Sequence, residues 1–73
     1  MKTTELIGKD VIDSEAKVIG YVKDVEIDLK KWGVAGLVVK TGLIKRLTIQ
    51  TADIDKVGDK VILKVTLDKV RKA

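Results

Sequence analysis

Three carboxylates occur at every second position of one run, at Asp24, Glu26 and Asp28. In an extended strand this spacing places all three on one face, where their oxygens could converge on a hard cation such as calcium. The intervening residues, Val25 and Ile27, are apolar, whereas a calcium loop has an irregular backbone that does not alternate in this way. We therefore interpret the carboxylates as a solvated strand face and predict neither a metal site nor an acid–base pair there.

The chain lacks the side chains that most enzyme mechanisms require. It has no histidine, the commonest general base, and no cysteine, which removes thiol nucleophiles, redox pairs and thiolate zinc sites. Gly33, Gly36 and Gly42 do not have the spacing of a phosphate-binding loop. The prediction is a protein that is not an enzyme, with no catalytic residue and no cofactor.

Lys30, Lys31 and Trp32 place an aromatic side chain beside two cations in a predicted turn. Such a group stacks on nucleic-acid bases or anchors a protein partner, and tryptophan is enriched among the residues that dominate protein interfaces. Tyr21 is the only other aromatic residue, so the chain has no stacking platform, and RNA is the less favoured partner. Trp32 could also cover the mouth of the fold, and the two roles are compatible.

Apolar residues recur with a period of two in short runs, which predicts successive strands and an all-β class. The predicted architecture is a single domain over residues 1–73, a small β-barrel of about five or six strands. One helical turn is expected at residues 51–56, before the last strand, with Thr51 as its cap and Gly58 as its end. Residues 68–73 are expected to form a frayed basic tail. The predicted strands are residues 6–13, 18–29, 34–41, 46–50 and 59–66.

The alternation changes phase inside the second predicted strand. Val22 belongs to one phase, whereas Val25 and Ile27 follow the other, so the register slips near Lys23 and Asp24. A β-bulge at this point returns both sets to the core, and small closed barrels need such corners to bend a strand. The slip therefore favours a barrel over a flat sheet.

The third predicted strand is apolar in both phases. If the apolar side chains on one face of this strand point into the core, those on the other face must be buried by something else, either the C-terminal tail or a second copy of the chain. A core of this size supplies only about 3–5 kcal/mol, and the chain has no cysteine or histidine for a disulfide or zinc site. We therefore predict a homodimer. The predicted partner-binding residues are Trp32, Lys31, Val34, Gly36 and Val38.

Three segments resemble the PRC-barrel domain family in order along the chain: LIGKDVID at 6–13, IGYVKDVEID at 19–28 and ADIDKVGDKVIL at 52–63. The resemblance implies a PRC-type barrel. It also implies structural roles for matching glycines and aspartates, with glycine at tight corners and aspartate bound to backbone amides. These positions are Gly20, Asp24, Asp28, Gly58 and Asp59. Ala16 stands where the family commonly has glycine, so we expect a looser turn or another turn type there.

The resemblance to short free-standing archaeal PRC-barrel proteins implies a function. Those proteins are adaptors that dimerise and bind the membrane anchor of the archaeal cell-division ring. Members similar to RimM attach instead to a ribosomal protein during assembly and carry a second domain, for which this chain has no room. The leading hypothesis is a homodimeric adaptor that docks another protein, and the alternative is an RNA-binding or ribosome-assembly factor.

Composition bears on source and location. Charged residues make up 36% of the chain, asparagine is absent and Gln50 is the only glutamine, which resembles thermophile usage. The net charge of +4 permits anionic partners without requiring them. No run reaches the roughly 18 apolar residues of a membrane span, and the N-terminus lacks a hydrophobic signal core. The expectation is a soluble, cytoplasmic protein that does not insert directly into a membrane.

Overall fold

Strands dominate the fold. The structure, a computed structural model, describes residues 2–42 and 45–72, and their side chains except for those of 70–72. Within these ranges the helical segments are α1 (Thr3–Leu6), a 3₁₀ turn (Thr51–Asp53) and α2 (Leu67–Lys72). The strands are β1 (Asp10–Ile12), β2 (Val18–Asp28), β3 (Gly33–Thr41), β4 (Lys45–Gln50), β5 (Ile54–Val57) and β6 (Val61–Leu63). The chain is mostly β, as predicted.

The six strands form one sheet in the order β4-β3-β2-β1-β6-β5. Neighbouring strands are antiparallel except for β1 and β6, which run parallel. The strands at the two ends of this order, β4 and β5, are consecutive in the chain, and only the 3₁₀ turn separates them. The chain itself therefore connects the two edges and closes the curved sheet around its core, in the manner of a small barrel.

Two bulges bend the ribbon formed by β2 and β3. In β2 the register shifts between Val22 and Asp24, which leaves Lys23 as the extra residue and confirms the slip predicted from the sequence. In β3 a second shift leaves Ala35 as the extra residue, which the sequence pattern did not predict. The first bulge allows both Val22 and Val25 to face the core, and each bulge increases the local twist.

The core is entirely aliphatic. Its fully packed side chains come from every strand except β5, which contributes the half-buried Ile54. Burial of each such side chain contributes about 1.5–3 kcal/mol relative to exposure. Neither Trp32 nor Tyr21 is among them, so neither aromatic residue is required to fill the interior. The buried core residues are Val11, Ile19, Val22, Leu37, Val39, Ile49, Val61 and Leu63.

The first strand is shorter than the sequence predicted. It begins at Asp10 rather than at residue 6, because Leu6 closes the helical turn α1 and Gly8 then redirects the chain with a φ of 94°. Glycine tolerates this left-handed conformation without a steric penalty. The amide of Gly8 donates to the carbonyl oxygen of Val22 at 2.8 Å, which fixes α1 against β2.

The segment after β4 also differs from the prediction. The helical turn stops at Asp53 and has no side-chain cap, since its N-cap residue is Gln50 and not Thr51. Residues 54–56, which the sequence pattern places in that turn, belong to β5, because pairing with β6 satisfies their backbone groups. Residues 68–73, for which a frayed tail was expected, include most of α2.

Asp13 is buried, with 2% of its surface exposed, and connects two distant parts of the chain. Its Oδ1 accepts the backbone N–H groups of Glu15 and Lys17, each at 2.9 Å, and its Oδ2 accepts that of Leu67 at 3.2 Å, where α2 begins. The Lys17 N–H, aided by those of Leu67 and Glu15, holds the pKa of the Asp13 carboxyl below its ordinary 3.8, although burial acts in the opposite direction. In the same turn Ala16 has a φ of 64°.

Candidate functional site

A four-residue turn, residues 29–32, joins β2 to β3 beyond the last strand pair, Asp28 and Gly33. The Asp28 Oδ1 accepts the backbone N–H of Lys30 at 2.9 Å and that of Lys31 at 3.4 Å. Aspartate forms such turns readily because its short side chain reaches the amides two and three residues ahead. Trp32 completes the turn with a φ of 52°, so it sits in the left-handed region. The turn therefore holds its lysines and tryptophan at a defined place.

Four apolar residues around this turn are exposed, and we call them the hairpin cluster: Ile27, Leu29, Trp32 and Val34. Their exposed fractions are 55%, 69%, 82% and 46% in that order. Ile27 and Val34 are directly opposite on β2 and β3, so their side chains share one face of the ribbon. Exposed apolar groups that are contiguous in this way mark interaction surfaces more often than scattered ones do.

The hairpin cluster is exposed because the ribbon extends past the end of the core. Val25 and Leu37 are opposite one another, and they form the outermost pair of this ribbon that packs into the core. Ile27 follows Val25 by two positions and so continues the same face, and the bulge at Ala35 keeps Val34 opposite to it. The face of the ribbon that packs into the core therefore continues as an apolar surface past Val25 and Leu37, where no other part of the described structure covers it.

A cleft of about 570 Å³ lies beside the hairpin. β4 pairs with β3 only as far as Gln50, which is opposite Gly36, and the chain then leaves the sheet through the 3₁₀ turn. Among the strands that the structure describes, residues 33–35 of β3 consequently have a neighbour on one side only, which is β2. The cleft is lined by Asp28, Lys31, Gly33, Val34, Ala35, Gln50 and Thr51.

The five residues predicted to bind a partner are divided between two places. Trp32, Lys31 and Val34 lie together at the hairpin and its cleft. The bulge at Ala35 places Gly36 and Val38 on the opposite face of β3 from Val34, so the expected single apolar face does not exist. Gly36 is buried, and Val38 is half-buried between Asp24 and Thr48 on the neighbouring strands.

A close backbone approach explains why Gly36 and Gly20 are glycines. A Cβ added at Gly36 would be 2.6 Å from the carbonyl oxygen of Ile49, and one added at Gly20 would overlap the carbonyl oxygen of Lys40. Gly58 belongs to the turn between β5 and β6, where its N–H donates to the carbonyl oxygen of Lys60 at 3.0 Å. These glycines allow the strands to approach and turn.

The three aspartates to which the resemblance assigns structural roles are on the outer face of β2 or in a turn. Asp24 accepts the N–H of Val25 at 2.8 Å, Asp28 binds the turn amides, and Asp59 is exposed in the turn after β5. In residues 2–42 and 45–72 no group of three or more acidic, histidine or cysteine side chains could hold a metal ion. Across the same residues, no helix is long and apolar enough to cross a membrane.

Sequence reasoning identified the centre of the hairpin cluster but not all its members. Lys31 and Trp32 are recognisable from their types and spacing, whereas Ile27 and Leu29 alternate in phase with Val25, a pattern that predicts core positions for side chains that are in fact exposed. Their position at the end of a long strand, beside a polar turn, was the available signal. Asp13 was also missed as a buried group, since the amide that it binds at Leu67 is remote in sequence.

The sequence matches the model of a known domain family over almost its whole length. The model of the family described as PRC-barrel domain matches residues 1–70. The chain belongs to the PRC-barrel domain family. PRC-barrel domains are in general non-catalytic binding modules.

Among solved structures, the PRC-barrel chain is similar to a protein described as the 16S ribosomal RNA processing protein RimM from Pseudomonas aeruginosa. The TM-score is 0.71 at 13% sequence identity, and the match covers 93% of this chain. The chain spans 45% of the length of that protein. At this identity the likeness establishes the fold alone. No curated protein matches the sequence.

Proposed function

We propose that this PRC-barrel chain is a non-enzymatic adaptor that docks another protein through the hairpin cluster. The observation that carries the proposal is the exposure of Leu29 and Trp32, 69% and 82%, at the end of a ribbon whose turn is fixed by Asp28. A preformed apolar surface binds with little loss of conformational entropy, because its backbone is already ordered before the partner arrives.

The energetic scale of this surface supports a docking role. Full burial of an exposed Leu or aromatic side chain contributes about 1.5–3 kcal/mol, and tryptophan is among the residues that dominate interfaces. Loss of Trp32 from the contact should therefore weaken binding by about tenfold or more, at 1.4 kcal/mol for each factor of ten. Lys30 and Lys31, both exposed beside the cluster, add attraction for acidic partners.

The partner that we propose first is the membrane anchor of the archaeal division ring, on the strength of the resemblance to short archaeal adaptors. Self-association as a homodimer is part of the same proposal, because a core of this size benefits from an additional contact. Sedimentation of the chain over a range of concentrations tests the homodimer. A monomer at micromolar concentration would remove that part of the proposal.

Capture from a native extract tests the docking surface. The immobilised chain is compared with the double variant Leu29→Ser, Trp32→Ser, and with Val18→Ser as the matched control, since Val18 is 62% exposed on β2 away from the turn. We expect the division-ring anchor to be enriched by the chain and by the control, and lost with the double variant. Equal capture by all three proteins would contradict the proposal.

A second candidate is an RNA-binding or ribosome-assembly factor. The similarity of fold to RimM and the net charge of +4 favour it. If the second candidate is correct, affinity for ribosomal RNA fragments should fall steeply as salt is raised, because phosphate contacts release counterions. The same capture experiment would then recover ribosomal proteins, and an absence of RNA binding at low salt would remove this candidate.

A further inference from the structure

The open edge of β3 in the cleft is a feature that docking by the hairpin cluster does not use. β3 pairs with β2 from Gly33 onward, but with β4 only from Gly36 onward. Within the described residues, the backbone of residues 33–35 makes no hydrogen bond to any segment other than β2. A strand edge of this kind presents unpaired N–H and C=O groups that another extended chain can join.

The cleft has room for such a chain. Its volume of about 570 Å³ is within the usual range for ligand-binding clefts. Gly33 has no side chain, and a Cβ added there would find its nearest neighbour, the carbonyl oxygen of Lys31, 4.0 Å away. Gln50 and Thr51 are exposed on the opposite wall, where β4 ends, and supply neutral hydrogen-bonding groups.

We propose that this cleft binds an extended segment of a partner protein as an added strand, paired with residues 33–35 and carrying an apolar and an acidic side chain. The inference rests on the proposed docking function and specifies its mode. The apolar side chain packs on Val34, which belongs to both the cleft and the hairpin cluster. The acidic one meets the ammonium of Lys31. Backbone pairing supplies affinity in this mode and alternate side chains supply specificity.

The charges around the cleft favour an acidic segment over a second copy of the chain. Asp28 also lines the cleft, but it is one acidic group beside the two exposed lysines of the turn, Lys30 and Lys31, whose amides its Oδ1 accepts. Lys31 is exposed and lines the cleft, so its ammonium is available to an occupant. A second copy would present the same excess of lysine over aspartate at this edge, and so offers no complementary charge to Lys31.

Selection from a random peptide library displayed on phage, panned against the whole chain, tests the proposal. We expect the selected peptides to alternate apolar and polar residues and to include Asp or Glu. Binding of a selected peptide should protect from hydrogen exchange those amides of residues 33–35 that do not already donate to β2, because these groups then become paired. Selection of peptides without an acidic residue, or protection confined to other strands, would overturn the proposal, as would a failure to select any peptide.

The variant Lys31→Glu isolates the charge, and Lys60→Glu, at an exposed turn position outside the cleft, is its matched control. Lys31→Glu should weaken an acidic peptide by about tenfold or more, and exchange of the acidic residue of the peptide for lysine should restore binding. Equal weakening by both variants would show a general effect of net charge and overturn the proposal. Protection of residues 33–35 that rises with protein concentration alone would assign the edge to a second copy and also overturn it.

The outcome is separable from that of the adaptor proposal. If the Leu29→Ser, Trp32→Ser variant abolishes partner capture while Lys31→Glu leaves it unchanged, docking by the hairpin cluster stands and strand addition fails. If neither variant affects capture, the docking proposal and the strand-addition proposal both fail.

Discussion

Gly36→Ala should destabilise the protein by forcing β3 and β4 apart. The added Cβ would be 2.6 Å from the carbonyl oxygen of Ile49, whereas ordinary contacts of this kind begin at 3.4 Å, so β4 must retreat by about 0.8 Å. Ile49 is 1% exposed, and the residues before and after it, Thr48 and Gln50, are both paired with β3, so a retreat of β4 would disturb the core and this pairing. Overpacking of this kind costs about 1–3 kcal/mol. That is a large part of the roughly 3–5 kcal/mol available to a domain of this size.

Urea denaturation followed by far-ultraviolet circular dichroism measures this loss, since the exposed Trp32 is a poor reporter of core unfolding. Gly58→Ala is the control, because a Cβ at Gly58 has no neighbour within 4 Å. The control should remain within about 0.5 kcal/mol of the natural chain or gain slightly from reduced freedom of the unfolded state. A Gly36→Ala variant within about 0.5 kcal/mol of the natural chain would refute the inferred close approach.

Three further predictions concern stability. Ala16→Gly should raise the unfolding free energy by about 0.5–1 kcal/mol in urea, because relief of the left-handed φ of 64° exceeds the added freedom of the unfolded chain, and a loss would contradict this. Asp13→Asn should lower the urea midpoint at neutral pH. Folding lowers the pKa of Asp13, so its carboxylate stabilises the folded state above pH 3.8, the ordinary pKa, and this contribution is lost as the pH falls toward the pKa in the folded state. The urea midpoints of the natural chain and of Asp13→Asn should therefore converge in acid. A difference between them that does not change with pH would contradict this prediction. Leu29→Ser with Trp32→Ser should change the unfolding free energy by less than about 0.5 kcal/mol, and a loss above about 1 kcal/mol by the same urea assay would assign the hairpin cluster to the core.

The two bulges show what hydrophobic alternation can reveal. The slip at Lys23 was predictable because the residues on either side of it follow opposite phases, with polar residues between them. The slip at Ala35 could not be predicted in this way, because residues 34–39 are apolar or glycine at every position. Either register of this strand therefore places apolar residues toward the core. Only pairing with β2 and β4 determines which of these residues face the core.

The candidate site was predictable where side-chain chemistry is local. The Lys31 and Trp32 pair and the turn aspartate, Asp28, act within a few residues of one another. The cleft, in contrast, arises because β4 ends opposite Gly36, which leaves the first three residues of β3 without a partner in β4, and the sequence of neither strand specifies that mismatch. The Asp13 bond to Leu67 likewise depends on tertiary structure, as its two ends are 54 residues apart.

The parallel pairing of β1 with β6 sets the order in which this sheet can be completed during synthesis. Val11 is opposite Val61, so β1, the first of the six strands to be synthesised, cannot pair its second edge until β6, the last of them, has been made. Until then only local antiparallel pairs, such as β2 with β3, can form. The nascent chain therefore carries an open strand at its front while the hairpin with its exposed tryptophan is already built, and a partner able to hold that hairpin could meet the protein before its barrel is closed.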